Sequence, residues 1–236
     1  IHEQPRAVAQ TLEERVAGGK LLEAAFGPAA QTVFAQTEAV RIVACGTSYH
    51  AASVAKYFIE QICRLPCWVE IASEYRYRNP VVPKNTLFVS VSQSGETADT
   101  LAALRMAKQA GYLSQLAICN VPESSLVRES ELVMLTRAGP EIGVASTKAF
   151  TTQLAALSML VIALAKFHSA DAERERVLVQ KLLGIPSLIE STLALDGTIR
   201  ELARRFADKH HALFLGRGAM FPIALEGALK LKEISY

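Results

Sequence analysis

The sequence predicts an α/β fold in which a doubly wound, five-stranded parallel sheet lies between two layers of helices. The first observation is that short apolar runs alternate with helix-forming segments, which is the order of βαβ units. The second is that these runs are almost continuously apolar, as in parallel strands buried on both faces. The third is composition: 50% of the 236 residues are apolar and 20% are charged, which allows a large core and excludes a disordered chain.

The elements are predicted in order along the chain. Two lead-in helices cover residues 3–16 and 27–36, with Gly18 and Gly19 ending the first. Five strands follow, at residues 40–45, 67–72, 87–91, 113–120 and 131–136. Helices with apolar residues on one face are predicted at 49–63, 98–110 and 148–168, and short helical turns at 73–78 and 124–129. Two charged helices, 172–184 and 187–206, come next.

These elements divide the chain into four parts. We expect lead-in helices at 1–38, a first domain at 39–170, connecting helices at 171–208 and the start of a second, similar domain at 209–236. The last part repeats the opening of the first domain, with a strand at 211–215, a turn at Gly216 and a helix at 221–236. One strand and one helix cannot bury a core. This unit must therefore dock on the first domain, pair with another chain or belong to a longer protein.

The turn after the third predicted strand carries the most informative residues. Ser92, Ser94 and Thr97 supply three hydroxyl groups, Gly95 allows close backbone approach, and Thr97 is placed to cap the next helix. A helix start has unpaired N–H groups and a partial positive charge, so it attracts anions such as phosphate. Because the turn has no Lys or Arg, the predicted phosphate site uses neutral donors. The alternative is an ordinary strand-to-helix turn with a Ser or Thr cap.

Two further turns are of the same kind. Gly46, Thr47 and Ser48 follow the first predicted strand, and a loop at residues 137–148, rich in glycine and hydroxyl groups, opens the long helix. The carboxyl ends of parallel strands lie at one edge of the sheet, and ligands bind there where the winding reverses. We therefore expect the turns at Gly46 and Ser92 to face one pocket.

Charge and cysteine content limit the partners and the compartment. The net charge of +2 gives no reason to expect nucleic acid. The cysteines are Cys45, Cys63, Cys67 and Cys119. They lack the second pair or nearby histidine of a zinc site, so we expect reduced thiols in a cytoplasmic protein, with no metal and no other cofactor.

The start of the chain and the composition of its longest apolar stretch both argue against membrane insertion. The chain opens on a polar stretch rather than on a signal peptide. The apolar stretch between Lys148 and Lys166 contains several polar residues and is interpreted as a buried core helix rather than as a membrane span.

The turns belong to four longer motifs. They are Cys45-Gly-Thr-Ser48, Ser92-Gln-Ser-Gly-Glu-Thr97, Glu141-Ile-Gly-Val-Ala-Ser-Thr-Lys-Ala-Phe150 and Ala224-Leu-Glu-Gly-Ala-Leu-Lys-Leu-Lys-Glu-Ile-Ser-Tyr236. In this order they resemble the sugar isomerase (SIS) half of the glutamine:fructose-6-phosphate aminotransferases, also called glucosamine-6-phosphate synthases. The resemblance covers essentially the whole chain and implies an SIS-type first domain that grips a phosphosugar and a second domain that adds catalytic groups.

The resemblance also implies roles for individual residues. Those that would bind the phosphate are Ser92, Gln93, Ser94 and Thr97. Those that would contact the sugar are Thr47, Ser48 and the backbone of Val144. Glu233 would be the base that moves a proton between C1 and C2, with Lys230 and Glu226 near the reacting centre.

The predicted chemistry agrees with the last of these roles. Conversion of a ketose phosphate to an aldose phosphate passes through an enediol-like intermediate, so a carboxylate must reach both carbons and a cation must stabilise the oxyanion. Glu226, Lys230 and Glu233 recur at i, i+4 and i+7 and therefore share one helix face. Taken alone, this spacing favours a solvated ion pair, and the family motif reverses that interpretation.

The same resemblance implies partners and further parts. The family carries an N-terminal glutaminase domain with a nucleophilic cysteine at the mature amino terminus, whereas this chain begins at Ile1. A family histidine beyond Glu233, and a lysine near the far C-terminus that forms an imine with the open sugar, have no counterpart before Tyr236. We therefore expect a fragment that folds its first domain and binds a sugar phosphate but does not complete amino transfer. The family also implies a homodimer whose neighbouring subunit completes the site.

Two other functions stay open at the level of sequence. A sugar-phosphate-sensing module would use the phosphate turn but would not need Lys230 or Glu233. A different phosphosugar isomerase of the same superfamily would use both the turn and the last helix.

Overall fold

The computed structural model describes residues 1–235, so the predicted helical end at Tyr236 lies outside the described residues. Its strands are β1 (Val16–Ala17), β2 (Lys20–Leu21), β3 (Ala39–Ala44), β4 (Cys67–Ile71), β5 (Thr86–Ser92), β6 (Ser114–Cys119) and β7 (Leu132–Leu135). Its helices are α1 (Gln4–Leu12), α2 (Ala30–Gln36), α3 (Gly46–Phe58), α4 (Ala72–Arg76), α5 (Ala98–Gln109), α6 (Ser125–Glu129), α7 (Lys148–His168), α8 (Ala172–Leu183), α9 (Ile185–Leu193), α10 (Asp196–Arg204) and α11 (Met220–Ser235).

The main sheet is five-stranded and parallel throughout, with the order β4-β3-β5-β6-β7. The predicted fold class is therefore confirmed. The chain passes from β3 to β4 on one side and then returns to β5 on the other side of β3, so the winding reverses between β3 and β5. The carboxyl ends of these two strands, at Ala44 and Ser92, are the place where an open α/β sheet binds its ligand.

Alternate residues of the central strands enter two separate cores, one on each face of the sheet. Ile42 and Val89 belong to the larger core, which α7 completes. Val43 and Phe88 belong to the smaller core, with Tyr75 of α4 and residues of α5 and α6. Every residue of β3, β5 and β6 is buried. Helices on both faces explain why these strands are buried along their whole length and are mostly apolar, rather than alternating between buried and exposed residues.

The long apolar helix α7 packs into the larger core, as the sequence predicted. By length and composition it is the single straight helix within residues 1–235 that could cross a membrane, and 67% of its most apolar window is buried. The bent pair formed by Ala172–Leu193 and Asp196–Arg204 passes the same test when its two parts are taken together.

Several element boundaries differ from the prediction. The first helix ends at Leu12, and Gly18 and Gly19 form the two-residue turn of a small antiparallel hairpin, β1–β2. Both glycines have positive φ, as such a turn requires. The predicted helix at 187–206 is divided into two helices, α9 and α10. Neither helix buries a residue. The second begins next to Gly197, and glycine is a poor helix former.

The predicted strand at 211–215 is wrong. Residues 211–217 have no regular structure, and the side chains of Leu213 and Leu215 are each 88% exposed. A strand needs a hydrogen-bonded neighbour, and no strand within residues 1–235 lies beside this segment. The helix that follows, α11, does form, and it packs against α3. That 209–236 begins a second domain stays a prediction.

Candidate functional site

A cavity of about 160 Å³ opens at the carboxyl ends of β3 and β5. Its walls come from the starts of three helices, α3, α5 and α7, and the N-cap side chains of α3 and α5 make no capping hydrogen bond. The lining residues are Cys45, Thr47, Ser48, Val91, Ser92, Gln93, Ser94, Thr97, Thr100, Ser146 and Gln153. None of these described residues is Lys, Arg, Asp or Glu. The turns at Gly46 and Ser92 therefore face one pocket, as the sequence predicted.

The β5–α5 turn forms the floor of this cavity and is held by its own side chains. The Ser92 hydroxyl accepts a hydrogen bond from the Gly95 N–H at 3.0 Å, and the Ser94 hydroxyl accepts one from the Glu96 N–H at 3.2 Å. Thr97 stands at the N-cap position of α5, but its side chain makes no capping hydrogen bond. The cap predicted for Thr97 is thus not made, and its hydroxyl instead lines the cavity.

Glu96, the one acid in the turn, points away from the cavity. Its carboxylate accepts a hydrogen bond from the Ser125 N–H at 2.7 Å, at the start of α6. The pKa of Glu96 is lowered, chiefly by this backbone hydrogen bond. The negative charge therefore serves the α6 terminus and leaves the cavity uncharged.

Gly95 is required by the turn. It has a φ of +67°, and a Cβ at this position would lie 2.1 Å from the Ser124 hydroxyl oxygen and 2.8 Å from the Cys119 sulfur. Only glycine combines this backbone conformation with so close an approach.

The loop at 137–147 supplies the third wall through Ser146. Glu141 organises the loop, because its carboxylate accepts hydrogen bonds from the N–H groups of Thr147 and Ala149 at 3.2 and 2.9 Å and thereby caps α7. Val144, in the same loop, is 90% exposed and is absent from the cavity lining. Its predicted backbone contact with a sugar stays a prediction.

Helix α11 places three charged side chains beside Thr47 at the cavity wall. Thr47 donates a hydrogen bond to Glu226 at 2.9 Å and accepts one from the Lys230 ammonium at 3.1 Å. Lys230 also lies 2.5 Å from a Glu233 carboxylate oxygen and 3.5 Å from Glu226. Glu226, Lys230 and Glu233 therefore share one face of α11, as predicted. Thr47 connects this face to the cavity.

Glu226 is the most buried acid of this group, with 5% of its surface exposed. Burial raises the pKa of its carboxyl, but hydrogen bonds from His50 and Thr47 and the charge of Lys230 act in the opposite direction and prevail, so its pKa is lowered. The distance from His50 Nδ1 to Glu226 is 2.7 Å. Glu226 is therefore an anion that fastens α11 to α3.

Sequence reasoning missed several residues of the site, among them Thr100, Ser146, His50 and Gln153. His50 lies one turn after Thr47 on α3, and this i, i+3 spacing on a helix that opens at the site is the signal that could have found it. Gln153 is one of the polar residues in the apolar stretch between Lys148 and Lys166, to which the sequence analysis gave no role in the site. A lone amide in such a helix needs a polar partner, and that requirement could have directed attention to the cavity.

Metal ligands were also sought. Across residues 1–235, no group of three or more His, Cys, Asp or Glu side chains comes together as a metal-binding cluster.

Comparison with known proteins identifies the family. The model of the SIS domain family matches residues 34–163, which is more than half of the chain. This chain belongs to the SIS domain family. The match covers the main sheet from the end of α2 to most of α7 and includes every turn that lines the cavity of this SIS domain.

Similar proteins are found over the whole chain. It is 61% identical to a glutamine–fructose-6-phosphate aminotransferase (isomerizing) of Pseudomonas syringae pv. tomato and 56% identical to that of Escherichia coli K12. The SIS domain chain spans 39% of the length of these curated relatives. A solved structure, the C-terminal domain of glucosamine-fructose-6-phosphate aminotransferase from Francisella tularensis, is 51% identical, with a TM-score of 0.97 over all of this chain and 66% of that one. The family resemblance predicted from the four motifs is confirmed.

Proposed function

We propose that this chain is the isomerase part of a glutamine:fructose-6-phosphate aminotransferase, which binds fructose 6-phosphate and converts it toward glucosamine 6-phosphate for amino-sugar synthesis. One observation carries the proposal. The uncharged cavity at the point where the winding reverses is joined through Thr47 to a lysine–carboxylate pair on α11. An anion site and a proton-transfer pair therefore adjoin, as an isomerase of phosphosugars needs.

The phosphate is proposed to lie in the β5–α5 turn. Hydroxyl and N–H donors from this turn surround an anion without a counter-ion, and the start of α5 contributes a favourable dipole. The donors proposed are Ser92, Gln93, Ser94 and Thr97. Each net hydrogen bond to a charged oxygen contributes about 1.5–3 kcal/mol, so several give the micromolar to millimolar affinity typical of a metabolite.

The sugar is proposed to extend from the phosphate toward α11. Thr47, Ser48 and the backbone of Val144 contact it on the way. Glu233 removes a proton from C1 and returns it to C2, which converts the ketose to the aldose through an enediol-like intermediate. Lys230, which lies between Glu233 and Thr47, stabilises the oxyanion. Glu226, which accepts a hydrogen bond from Thr47 of α3, positions Lys230.

The test is calorimetric titration of fructose 6-phosphate into the wild type and into Thr97→Val. Valine keeps the shape of threonine and removes the hydroxyl, so affinity should fall by about tenfold or more. Thr198→Val, in the exposed helix α10, is the matched control and should bind as the wild type does. Equal affinity in Thr97→Val and Thr198→Val contradicts the phosphate assignment.

Proton exchange at C1 separates the enzyme from a sensing module. Slow exchange of the C1 proton of fructose 6-phosphate with solvent, abolished in Glu233→Gln while binding survives, supports the isomerase. If substitution of Glu233 or Lys230 leaves the affinity for fructose 6-phosphate unchanged, and the wild type exchanges no C1 proton, the result supports a sensing module. A different phosphosugar preference is detected by thermal unfolding with a set of sugar phosphates, because a ligand at 100 times its dissociation constant adds about 2.7 kcal/mol of stability.

Partners and compartment belong to the same proposal. The relatives' greater length and their name support a glutaminase domain in the whole protein, and we propose a cytoplasmic homodimer. The exposed apolar side chains of Leu213, Phe214 and Leu215 support a further contact surface. Light scattering in solution tests the dimer: a mass of two chains agrees with it and a mass of one contradicts it.

A further inference from the structure

Gln153 carries an unsatisfied polar atom at the cavity. It lies in α7, only 2% of its surface is exposed, and it is one of the lining residues. Its Nε2 donates a hydrogen bond to the Ser48 hydroxyl at 3.0 Å. Its Oε1 is buried and has no hydrogen-bond partner among the described residues.

Such an atom is rare in a folded protein, because a buried acceptor that has lost its water and gained no partner costs free energy. Within residues 1–235, two other buried side-chain atoms are unpartnered, Arg41 Nε and Ser90 Oγ. Neither residue lines the cavity. Gln153 Oε1 is therefore the unpartnered buried atom whose partner can arrive with a ligand.

The hydrogen bond to Ser48 fixes what the neighbouring hydroxyl can do. Because the Gln153 amide occupies an acceptor position of the Ser48 oxygen, the Ser48 O–H is left to donate. No protein acceptor for that O–H is found in the described part of the chain. Gln153 and Ser48 thus present one acceptor and one donor side by side, which matches the hydrogen-bonding capacity of carbohydrate hydroxyl groups.

We propose that Gln153 recognises the sugar part of the bound phosphosugar, with its Oε1 accepting a hydrogen bond from a ligand hydroxyl while Ser48 donates to an adjacent ligand oxygen. This inference rests on the proposed function. The phosphate dianion of a sugar phosphate has only acceptor oxygens and cannot satisfy Gln153 Oε1, whereas a hydroxyl of the sugar can donate to it. Gln153 therefore discriminates a polyhydroxylated phosphate ester from an alkyl phosphate that has no hydroxyl group.

The test compares two ligands in three proteins. Fructose 6-phosphate and methyl phosphate are titrated calorimetrically at about pH 8, where methyl phosphate is a dianion without a donor, into the wild type, Gln153→Met and Gln115→Met. Methionine matches glutamine in length and lacks its hydrogen-bonding atoms. Gln115, 5% exposed in β6 near the amino-terminal end of the strand, is the burial-matched control.

In Gln153→Met, affinity for fructose 6-phosphate should fall about tenfold or more, while affinity for methyl phosphate stays within about twofold of the wild type. Gln115→Met should bind both ligands as the wild type does. The unliganded Gln153→Met protein should melt no lower than the wild type, because it loses an unsatisfied acceptor, whereas a purely structural glutamine would lower the melting temperature on removal.

Two results overturn the inference. One is a Gln153→Met protein that binds fructose 6-phosphate as tightly as the wild type does, which assigns the amide oxygen to water. The other is an equal loss of affinity for both ligands, which would mean that Gln153 only maintains the shape of the cavity. A wild-type protein that binds neither ligand contradicts the proposed function itself, and the inference falls with it.

Discussion

At the scale of single residues, Gly95 is a position at which the β5–α5 turn tolerates no side chain. Gly95→Ala places a methyl group 2.1 Å from the Ser124 hydroxyl oxygen at a positive φ. We expect a loss of about 2 kcal/mol or more in the free energy of unfolding, measured in urea, because a close contact and an unfavourable backbone angle combine.

The control for this substitution is Gly197→Ala in α10. Nothing lies within 4 Å of a Cβ at Gly197, so alanine there should stabilise the helix by about 0.5–1 kcal/mol. If the two substitutions have equal effects, the account of Gly95 is wrong.

The cysteines give a second residue-scale prediction. Cys45 lines the cavity and is partly exposed, whereas Cys63, Cys67 and Cys119 are buried. Burial raises the pKa of the Cys63 thiol to about 12, so it has little reactive thiolate at neutral pH. A thiol reagent should therefore modify Cys45 first in the native protein, and saturating fructose 6-phosphate should slow that modification.

Mass spectrometry of the modified protein locates the label. A rate at Cys45 that does not change with ligand would mean that the sugar phosphate binds elsewhere.

Much of the site could be predicted at this scale, because the hydroxyls of Ser92, Ser94 and Thr97 are adjacent in sequence and Gly95 marks the turn between them. Gln153 and His50 could not be assigned in the same way. Their roles depend on contacts with Ser48 and Glu226, which are distant in sequence and are brought near only by the packing of α7 and α11 on α3.

At the scale of elements, the docking of α11 on α3 depends on the ionised form of Glu226. The pKa of this carboxyl is lowered from its usual 4.5 in the folded protein, where it faces His50, Thr47 and Lys230. A lowered folded-state pKa contributes stability that is fully present above the unfolded value and is lost as the pH falls through the folded value. The contribution should therefore begin to decline below about pH 4.5 and disappear once the pH is below the lowered folded-state pKa.

Glu226→Gln removes this contribution. The melting temperature of the wild type should exceed that of Glu226→Gln at neutral pH, and the difference should shrink as the pH falls below about 4.5. Glu201→Gln, an exposed acid on α10, should show little difference from the wild type at any pH. A wild-type advantage that does not vary with pH would contradict the account of Glu226.

The prediction of helices and strands succeeded where the sequence pattern fits one structure and failed where it fits more than one. The buried strands β3, β5 and β6 were found because their apolar runs need two covering layers. The strand predicted at 211–215 has an equally apolar sequence, but no neighbouring strand lies beside it within residues 1–235. The β1–β2 hairpin was missed because two consecutive glycines are typical both of the end of a helix and of a tight hairpin turn.

At the scale of the whole molecule, the topology brings together groups that are far apart in the chain. The reversal of winding between β3 and β5 sets two hydroxyl-rich turns on one cavity, and α11 adds a lysine and two carboxylates at its wall. We propose that the cavity binds an anion without a cation in its lining, and that Lys230, which contacts Thr47 at the cavity wall, is left for chemistry. This division of roles is the central claim.

A crystal structure of the protein with fructose 6-phosphate tests that claim most directly. The account predicts the phosphate within hydrogen-bonding distance of the Ser92, Ser94 and Thr97 side chains, with the sugar directed toward Thr47 and Glu233. A phosphate bound elsewhere, beside an empty β5–α5 turn, would contradict it.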